Sequence, residues 1–435
     1  MTTTSSWDRS YQVAAMLGGS LLVALFSAKA LSRLEAGFGD RKEKGGIRLP
    51  LLGAQVFGHI NGQSDSDDDE DEESTSNDAV PSRRAKVETP KLGLQPDTGL
   101  YRGNFVLLAA FDGIRGCSVA LDSLGIEPIA DYSSEIDPKC KRFIATKFPN
   151  CVQLGDLKKV NKELLEDLVE RHGRNKTWLV VGGSPCQDLS RRRGPMAKGL
   201  AGKKSKMFFE FVRVVSMLMS LEVKVVFLLE NVASMKDEER DTITKCLGVV
   251  PVQMDSVVVS ACHRLRYYWT NLPVRPLEPV DIDIDALLDD GWYRHPKGKP
   301  FRCFVASAAY QAKRGRDPMG VRSSADHHVE RPPNADEREV ILGFPRGYTR
   351  LPPGDPSPFD EGQRLKMVGN SFSVQVVAHL LSSFAESVKR GMDPPLIPLR
   401  EDAVLLRMDR IMDEPIGFED CEDVWYDMPG FDEAS

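Results

Sequence analysis

Between residues 101 and 271 short apolar runs alternate with stretches of helical period. "NFVLLAAFDGI" reads as a strand closed by a tight turn, and "CSVALDSLGI" continues it as a helix. "PIADYSSEID" is a second strand that ends in acids, and "CVQLGDL" is a third, short one. "KELLEDLVERH" repeats its apolar positions three and four apart, as an amphipathic helix does. "TWLVVGGSPC" and "VKVVFLLENV" are apolar strands on either side of the helix "MFFEFVRVVSMLM". "VQMDSVVVSA" and "RYYWTNL" read as later strands, paired as an antiparallel hairpin, and "FSVQVVAHLLSSFAESV" as one closing helix. Alternating strands and helices predict an α/β fold with a doubly wound sheet.

The pattern fails in four places, and these set the domain boundaries. Residues 1–31 contain "YQVAAMLGGSLLVALFSA" (residues 11–28), which is uncharged and close to the length of a membrane-spanning helix. An anchor, a targeting peptide and a docking helix all fit it. Residues 32–99 include "SDSDDDEDEES", too polar to bury surface, and read as a disordered acidic linker. Residues 272–335 are rich in Pro, Asp, Arg and His and read as a small irregular insert within a domain spanning 100–390. Residues 391–435 read as an acidic tail.

Net charge at first argues against a polyanionic partner, since the whole chain is −7. Charge is segregated, however. Residues 1–99 carry 11 basic and 15 acidic side chains, and residues 391–435 carry 3 and 13. The central block keeps 43 basic against 36 acidic, a net of +7. A basic block between acidic ends suits nucleic acid, although an ordinary solvated surface gives the same count. Eight cysteines are scattered without a C-x-x-C pair, which argues against a zinc ribbon and against a disulfide framework.

Candidate chemistry gathers at the expected strand ends. Cys186 follows "VVGGSP", just past the carboxyl end of a strand, where open α/β sheets hold their ligands. "FDGIRG" lacks the G-x-G-x-x-G spacing of a pyrophosphate turn, so a dinucleotide is not expected. Glu135 ends the second strand, where an acid can hold two ribose hydroxyls, and Asp156 ends the third, within reach of an amino group. In order, these suggest a nucleoside site without pyrophosphate, which S-adenosyl-L-methionine fits. Glu230 in "LLENVASM" ends the strand beside that of Cys186, placed either to donate to a ring nitrogen or to cap the next helix. Arg264 and Arg266 stand two apart, on one face of a strand. "SRRRGPMAKGLAGKKSK" after Cys186 supplies Arg191, Arg192, Arg193, Lys198, Lys203 and Lys204, a cationic loop suited to phosphates.

Taken in order, "GGSPCQDLS", "LLENVASM", "VSACHRLRYYWTNLP", "ILGFPRGYT" and "VGNSFSV" resemble the motifs of the DNA (cytosine-5) methyltransferases, nearest the eukaryotic de novo branch. The resemblance covers about residues 103–390. It implies a Rossmann-like methyltransferase sheet with a target-recognition subdomain at 272–335. It implies Cys186 as the thiol that adds to cytosine C6, Glu230 as the group engaging N3, and Arg264 with Arg266 as the paired arginines. The cofactor pocket for S-adenosyl-L-methionine would be Phe111, Asp112, Gly113, Ile114, Glu135, Ile136, Asp156, Leu157, Asn370 and Phe372. Double-stranded DNA is the implied partner and the nucleus the implied compartment. A homo-oligomer, a related methyltransferase partner and membrane or organelle contact through residues 11–28 stay open. Arg115 departs from the family, standing where many relatives have a small residue. A tRNA cytosine-5 methyltransferase of the same fold is the rival enzyme, but its Cys-Phe-Thr signature is absent, with "CFV" at Cys303 the nearest string. An inert scaffold is the non-enzyme rival. Such relatives usually lose the Pro-Cys, the ENV glutamate or the cofactor glycine, and all three are present here.

Overall fold

The computed structural model of the chain describes residues 100–190, 198–306 and 320–406. The segment at 11–28 and the arginines at 191–193 therefore lie outside the described residues. Among the described residues no helix is long and apolar enough to cross a membrane.

The strands are β1 (Tyr101–Arg102), β2 (Phe105–Ala110), β3 (Ile126–Glu127), β4 (Ala130–Ser134), β5 (Val152–Gln153), β6 (Thr177–Gly183), β7 (Lys224–Val232), β8 (Val252–Asp255) and β9 (Leu265–Thr270). Between them run the helices α1 (Gly116–Ser123), α2 (Pro138–Lys147), α3 (Lys162–His172), α4 (Met207–Ser220) and α5 (Asp237–Leu247). Seven strands form the main sheet in the order β5-β4-β2-β6-β7-β9-β8. Pairing is parallel from β5 to β7 and antiparallel for β7–β9 and β9–β8. The chain starts in mid-sheet, winds out to one edge, then returns to the other, as the alternation predicts.

Burial shows why the central strands read as unbroken apolar runs. In β2, Phe105, Leu107 and Ala109 enter one core, and Val106, Leu108 and Ala110 enter the other. The same alternation continues in β6 and β7, where Leu179 and Val226 face one side while Val180 and Phe227 face the other. A strand covered on both faces has no polar side to show.

Three details depart from the sequence reading, each for a local reason. The run "VQMDSVVVSA" is a strand only as far as Asp255, whose carboxylate accepts from Val257 N (3.2 Å) and Arg264 N (2.7 Å) and so turns the chain. The closing helix is two, α8 (Val374–Leu380) and α9 (Ser382–Lys389), broken at Leu381, where ψ is 1° beside a serine pair. They follow α6 (Ala335–Ile341) and α7 (Glu361–Gly369). The acidic tail does not leave the domain at residue 391. Ile397 N donates to Asn271 O and Arg400 N to Gly248 O, and Leu405 is buried against α4 with its carbonyl on Ser216 Oγ.

The insert holds a small antiparallel sheet of β10 (Trp292–Arg294), β11 (Val321–Ser323) and β12 (Glu330–Arg331). Arg294 organises it from within. Fully buried, it donates to the carbonyls of Lys299 and Gly320 and stacks 4.3 Å over Phe301. Phe301 in turn pairs its backbone with Ala261 and His263, at 2.8 Å each. That pairing lays residues 302–304 beside the start of β9.

Asn271 ends β9 by letting its side chain replace the backbone. Its Oδ1 accepts from Phe227 N and its Nδ2 donates to Val225 O, both at 2.9 Å. Asn271→Ala would leave two buried β7 groups unpaired, and each such group costs about 1–3 kcal/mol. Chemical denaturation should show a loss of about 2–4 kcal/mol. A loss under about 0.5 kcal/mol would mean that water replaces the amide.

Candidate active site

Two strand ends meet at the centre of the sheet. Gly183, the last residue of β6, is registered opposite Glu230 of β7. The chain beyond Gly183 runs through Ser184 and Pro185 to Cys186, and the next residue of β7 holds it there. Buried Asn231 donates through Nδ2 to Ser184 Oγ (2.8 Å) and Ser184 O (3.3 Å). A second clamp comes from downstream. Ser205 Oγ donates to Pro185 O (3.1 Å) and accepts from Asp188 N (3.2 Å), while the Asp188 carboxylate accepts from the backbone N–H groups of Lys204 and Ser205. The turn carrying the thiol is thus fixed from both sides. Asn231, Asp188 and Ser205 lie inside motifs legible in the sequence, but only their contacts give them a task.

Glu230 ion-pairs with Arg266, Nε to Oε1 at 2.7 Å, with both side chains 13 % exposed. Arg266 sits across from Val232 in the β7–β9 pairing, so its head reaches back over the strand end. Arg264 precedes β9 and is buried. Its guanidinium donates to the carbonyls of Phe304 and Ser371, so it ties the insert and the α7–α8 junction to this strand. Burial, and then the Glu230 charge, push the Cys186 thiol upward; Arg266 and Arg264 oppose that rise.

The residues expected to hold a cofactor line the neighbouring strand ends. Phe111 (φ 53°) and Gly113 (φ 57°) form a left-handed turn after β2, and a Cβ at Gly113 would meet nothing within 4 Å. Glu135, just after β4, accepts from Gly113 N, Ile136 N and Asp137 N, each at 2.7 Å, and so binds the two turns together. Ile136 is 69 % exposed, a bare apolar side chain beside that carboxylate. Asp156 caps a short turn by accepting from Lys158 N. Ile114 and Leu157 are buried in the two cores. Asn370 ends α7 at the surface. Phe372 lies across the strand ends: a Cβ at Gly183 would come within 2.8 Å of its ring, and one at Gly116 within 3.2 Å.

Arg115 is the unusual member of this turn. It has φ 64° and is wholly buried, a costly combination for a charged side chain. It donates to Asp112, Asp131, Ser118 and Cys151 Sγ and lies 4.8 Å from the Phe148 ring. Burial raises the Asp112 carboxyl to about 6 despite this partner. The guanidinium therefore braces the turn from beneath, leaving the side above Gly113 open.

Residues 106–257 match the family described as C-5 cytosine-specific DNA methylase. This chain matches that family over about a third of its length. It is 28% identical over 134 residues to a DNA (cytosine-5)-methyltransferase DRM2 of Oryza sativa subsp. japonica, covering 30% of this chain and 22% of the relative. To the Arabidopsis thaliana DRM2 it is 32% identical over 119 residues, covering 26% and 18%. The chain thus spans about a fifth of the length of the curated relatives it matches. Among solved structures, an Entamoeba histolytica methyltransferase superposes with a TM-score of 0.46 at 18% identity, over 64% of this chain and 96% of that one. A Dnmt2 methyltransferase of S. pombe gives 0.45 at 15%, over 65% and 98%.

The methyl donor of a cytosine-5 methylase domain is S-adenosyl-L-methionine. The residues present fit it: an open glycine turn, an acid and an exposed apolar side chain follow one another along adjacent parallel strand ends. Lys198, Lys203 and Lys204 are exposed downstream of Cys186.

The electrostatics make a prediction that needs no substrate. Glu230→Gln removes the charge that lifts the Cys186 thiol and frees Arg266 to oppose the lift further. Cys186 should then be alkylated by iodoacetamide on the order of threefold faster at pH 7.5, followed by peptide mass spectrometry. An unchanged or slower rate would show that the carboxylate does not act on the thiol.

Proposed function

We propose that this protein transfers a methyl group from S-adenosyl-L-methionine to C5 of cytosine in DNA, de novo, through covalent addition of Cys186 to C6. The observation that carries the reading is the opposition of the two strand ends, with the Pro-Cys turn clamped beside a glutamate that an arginine orients. Cytosine C5 is a weak nucleophile. Thiolate addition at C6 makes the ring enamine-like, and a proton shared between Glu230 and N3 stabilises the charge that develops.

Each residue then has a limited task. Asn231, Asp188 and Ser205 hold the thiol in place, which supplies orientation. Arg266 fixes the Glu230 carboxylate, and the raised Cys186 thiol keeps the nucleophile largely protonated until the base arrives. The bound donor supplies an electrophilic methyl group; C5 then gives up its proton to a base, such as water, and the C6–S bond breaks to return the Cys186 thiol. Phe111–Ile114, Glu135, Ile136, Asp156 and Phe372 would hold it at the ends of β2, β4 and β5, on the same edge of the sheet as Cys186. Because C6 is inaccessible within a base pair, the target cytosine is extruded from the helix. The lysines at 198, 203 and 204, with the arginines at 191–193, grip the flanking phosphates. The nucleus is the compartment this activity calls for, and residues 1–99 serve location and not chemistry.

Replacing Cys186 with Ala or Ser should abolish methyl transfer from labelled donor while donor affinity, measured by calorimetry, barely changes. A duplex with 5-fluorocytosine should trap the wild type covalently. Glu230→Gln should lower turnover by on the order of 10²-fold. Methylation of DNA that persists in Cys186→Ala would overturn the mechanism, and transfer to tRNA alone would overturn the substrate.

Neutralising Arg191, Arg192, Arg193, Lys198, Lys203 and Lys204 together should weaken binding to any duplex and flatten its salt dependence. A titration series between about 50 and 200 mM salt reads the slope. An unaltered slope would place phosphate contact elsewhere.

A further inference from the structure

A second thiol stands against the same arginine that holds Glu230. Cys303 Sγ lies 3.5 Å from Arg264 Nη1 and 3.8 Å from Arg266 Nη2, brought there by the backbone pairing of Phe301 with Ala261 and His263. Its sulfur also lies 3.5 Å from the Phe304 carbonyl, which accepts from the neutral thiol. Arg266 therefore bridges two acids of different kinds, the Glu230 carboxylate on Nε and the Cys303 sulfur on Nη2.

The described free cysteines separate by environment. Cys117, Cys140, Cys246 and Cys262 are buried, while Cys151, Cys186 and Cys303 are partly exposed. Of these three, burial pushes the Cys151 thiol up to about 12, and burial together with Glu230 raises Cys186. Burial acts on Cys303 in the same direction, but the charges of Arg264 and Arg266 outweigh it and hold that thiol below the ordinary cysteine range. Cys262, fully buried and linked to Cys303 by charge, has its own thiol pushed up to about 12 and offers no competing anion.

We propose that Cys303 is a modification site: in the resting protein this thiol, held between Arg264 and Arg266, reacts with small soft electrophiles such as hydrogen peroxide in preference to Cys186. The thiolate is the reacting species, so the more acidic, partly exposed thiol reacts first at neutral pH. With peroxide, sulfur attacks one oxygen and an S–O bond forms as the O–O bond breaks. Hydroxide leaves and takes a proton to become water. Sulfur is oxidised by two electrons to a sulfenic acid, and the peroxide is reduced. The added oxygen sits among the donors of Arg264 and Arg266 and competes with Glu230 for the latter. Inhibition of methyl transfer follows if the proposed function holds; the reactivity itself does not depend on it.

The test uses the full chain without substrate. Limited iodoacetamide treatment from pH 6 to 9, with the rate at each cysteine read by peptide mass spectrometry, should show Cys303 alkylated about tenfold faster than Cys186 at pH 7.5. Its rate should level off at a lower pH than that of Cys186. Peroxide followed by dimedone should place the sulfenic-acid adduct on the Cys303 peptide. Equal or faster labelling of Cys186 or Cys151 would overturn the proposal, as would a Cys303 profile rising at or above the pH of an ordinary thiol. These measurements use the wild type, so they stand even if Cys303→Ser fails to fold. In an activity assay, peroxide should inhibit the wild type and spare Cys303→Ser. Absence of any methyl transfer beforehand would count against the proposed function and leave the labelling result to decide the thiol's reactivity.

Discussion

The pairing of Gly183 with Glu230 is the constraint on which the site depends. With no side chain at 183, the β6 end leaves room for the Phe372 ring and the Glu230 carboxylate together, and a Cβ there would come within 2.8 Å and 3.4 Å of them. One residue further along each strand, Asn231 binds Ser184, so the same register that aligns the carboxylate also aligns the turn to the thiol. A slip of one residue would reverse every side chain of β7. It would also part Glu230 from Gly183 and Asn231 from Ser184.

Charge around this point is distributed so that each ion has a partner. Arg266 takes Glu230, Arg264 takes two carbonyls from separate segments, and Cys303 lies between the two guanidiniums. An unpaired charge at such burial is strongly destabilising, so the insert, the hairpin and the α7–α8 junction are held to one another by electrostatics as well as packing. Arg115 repeats the device under the glycine turn after β2. A charged side chain in a left-handed conformation persists there because two carboxylates and an aromatic face surround it.

The resting state that results keeps the Cys186 thiol quiet. Burial and Glu230 disfavour the Cys186 thiolate, while the arginines that could favour it are engaged by Glu230, by carbonyls and by Cys303. A base that neutralised Glu230 would release Arg266 toward the thiol. Under the function proposed above, thiol activation and base recognition would then be one event, carried by a single ion pair.

The sequence by itself determined the sheet, the order of its parts and the strand-end positions of Cys186, Glu230, Glu135 and Asp156, because alternation, glycines and turn residues act over a few neighbouring positions. The ending of β8 at Asp255 and the break at Leu381 escaped it, since each depends on where one side chain or one carbonyl finds its partner. It could not show that Leu405 packs on α4, because an acidic composition outweighs a short apolar triplet unless the groove that receives it is known. Nor could it show that Cys303 meets arginines some 37 and 39 positions away, or that Arg264 turns to Ser371, 107 positions on. Those contacts join segments with no local preference for each other. Only the closing of the core around Phe301 and Phe304 brings them within a few ångströms, and only there do two guanidiniums decide which thiol is acidic.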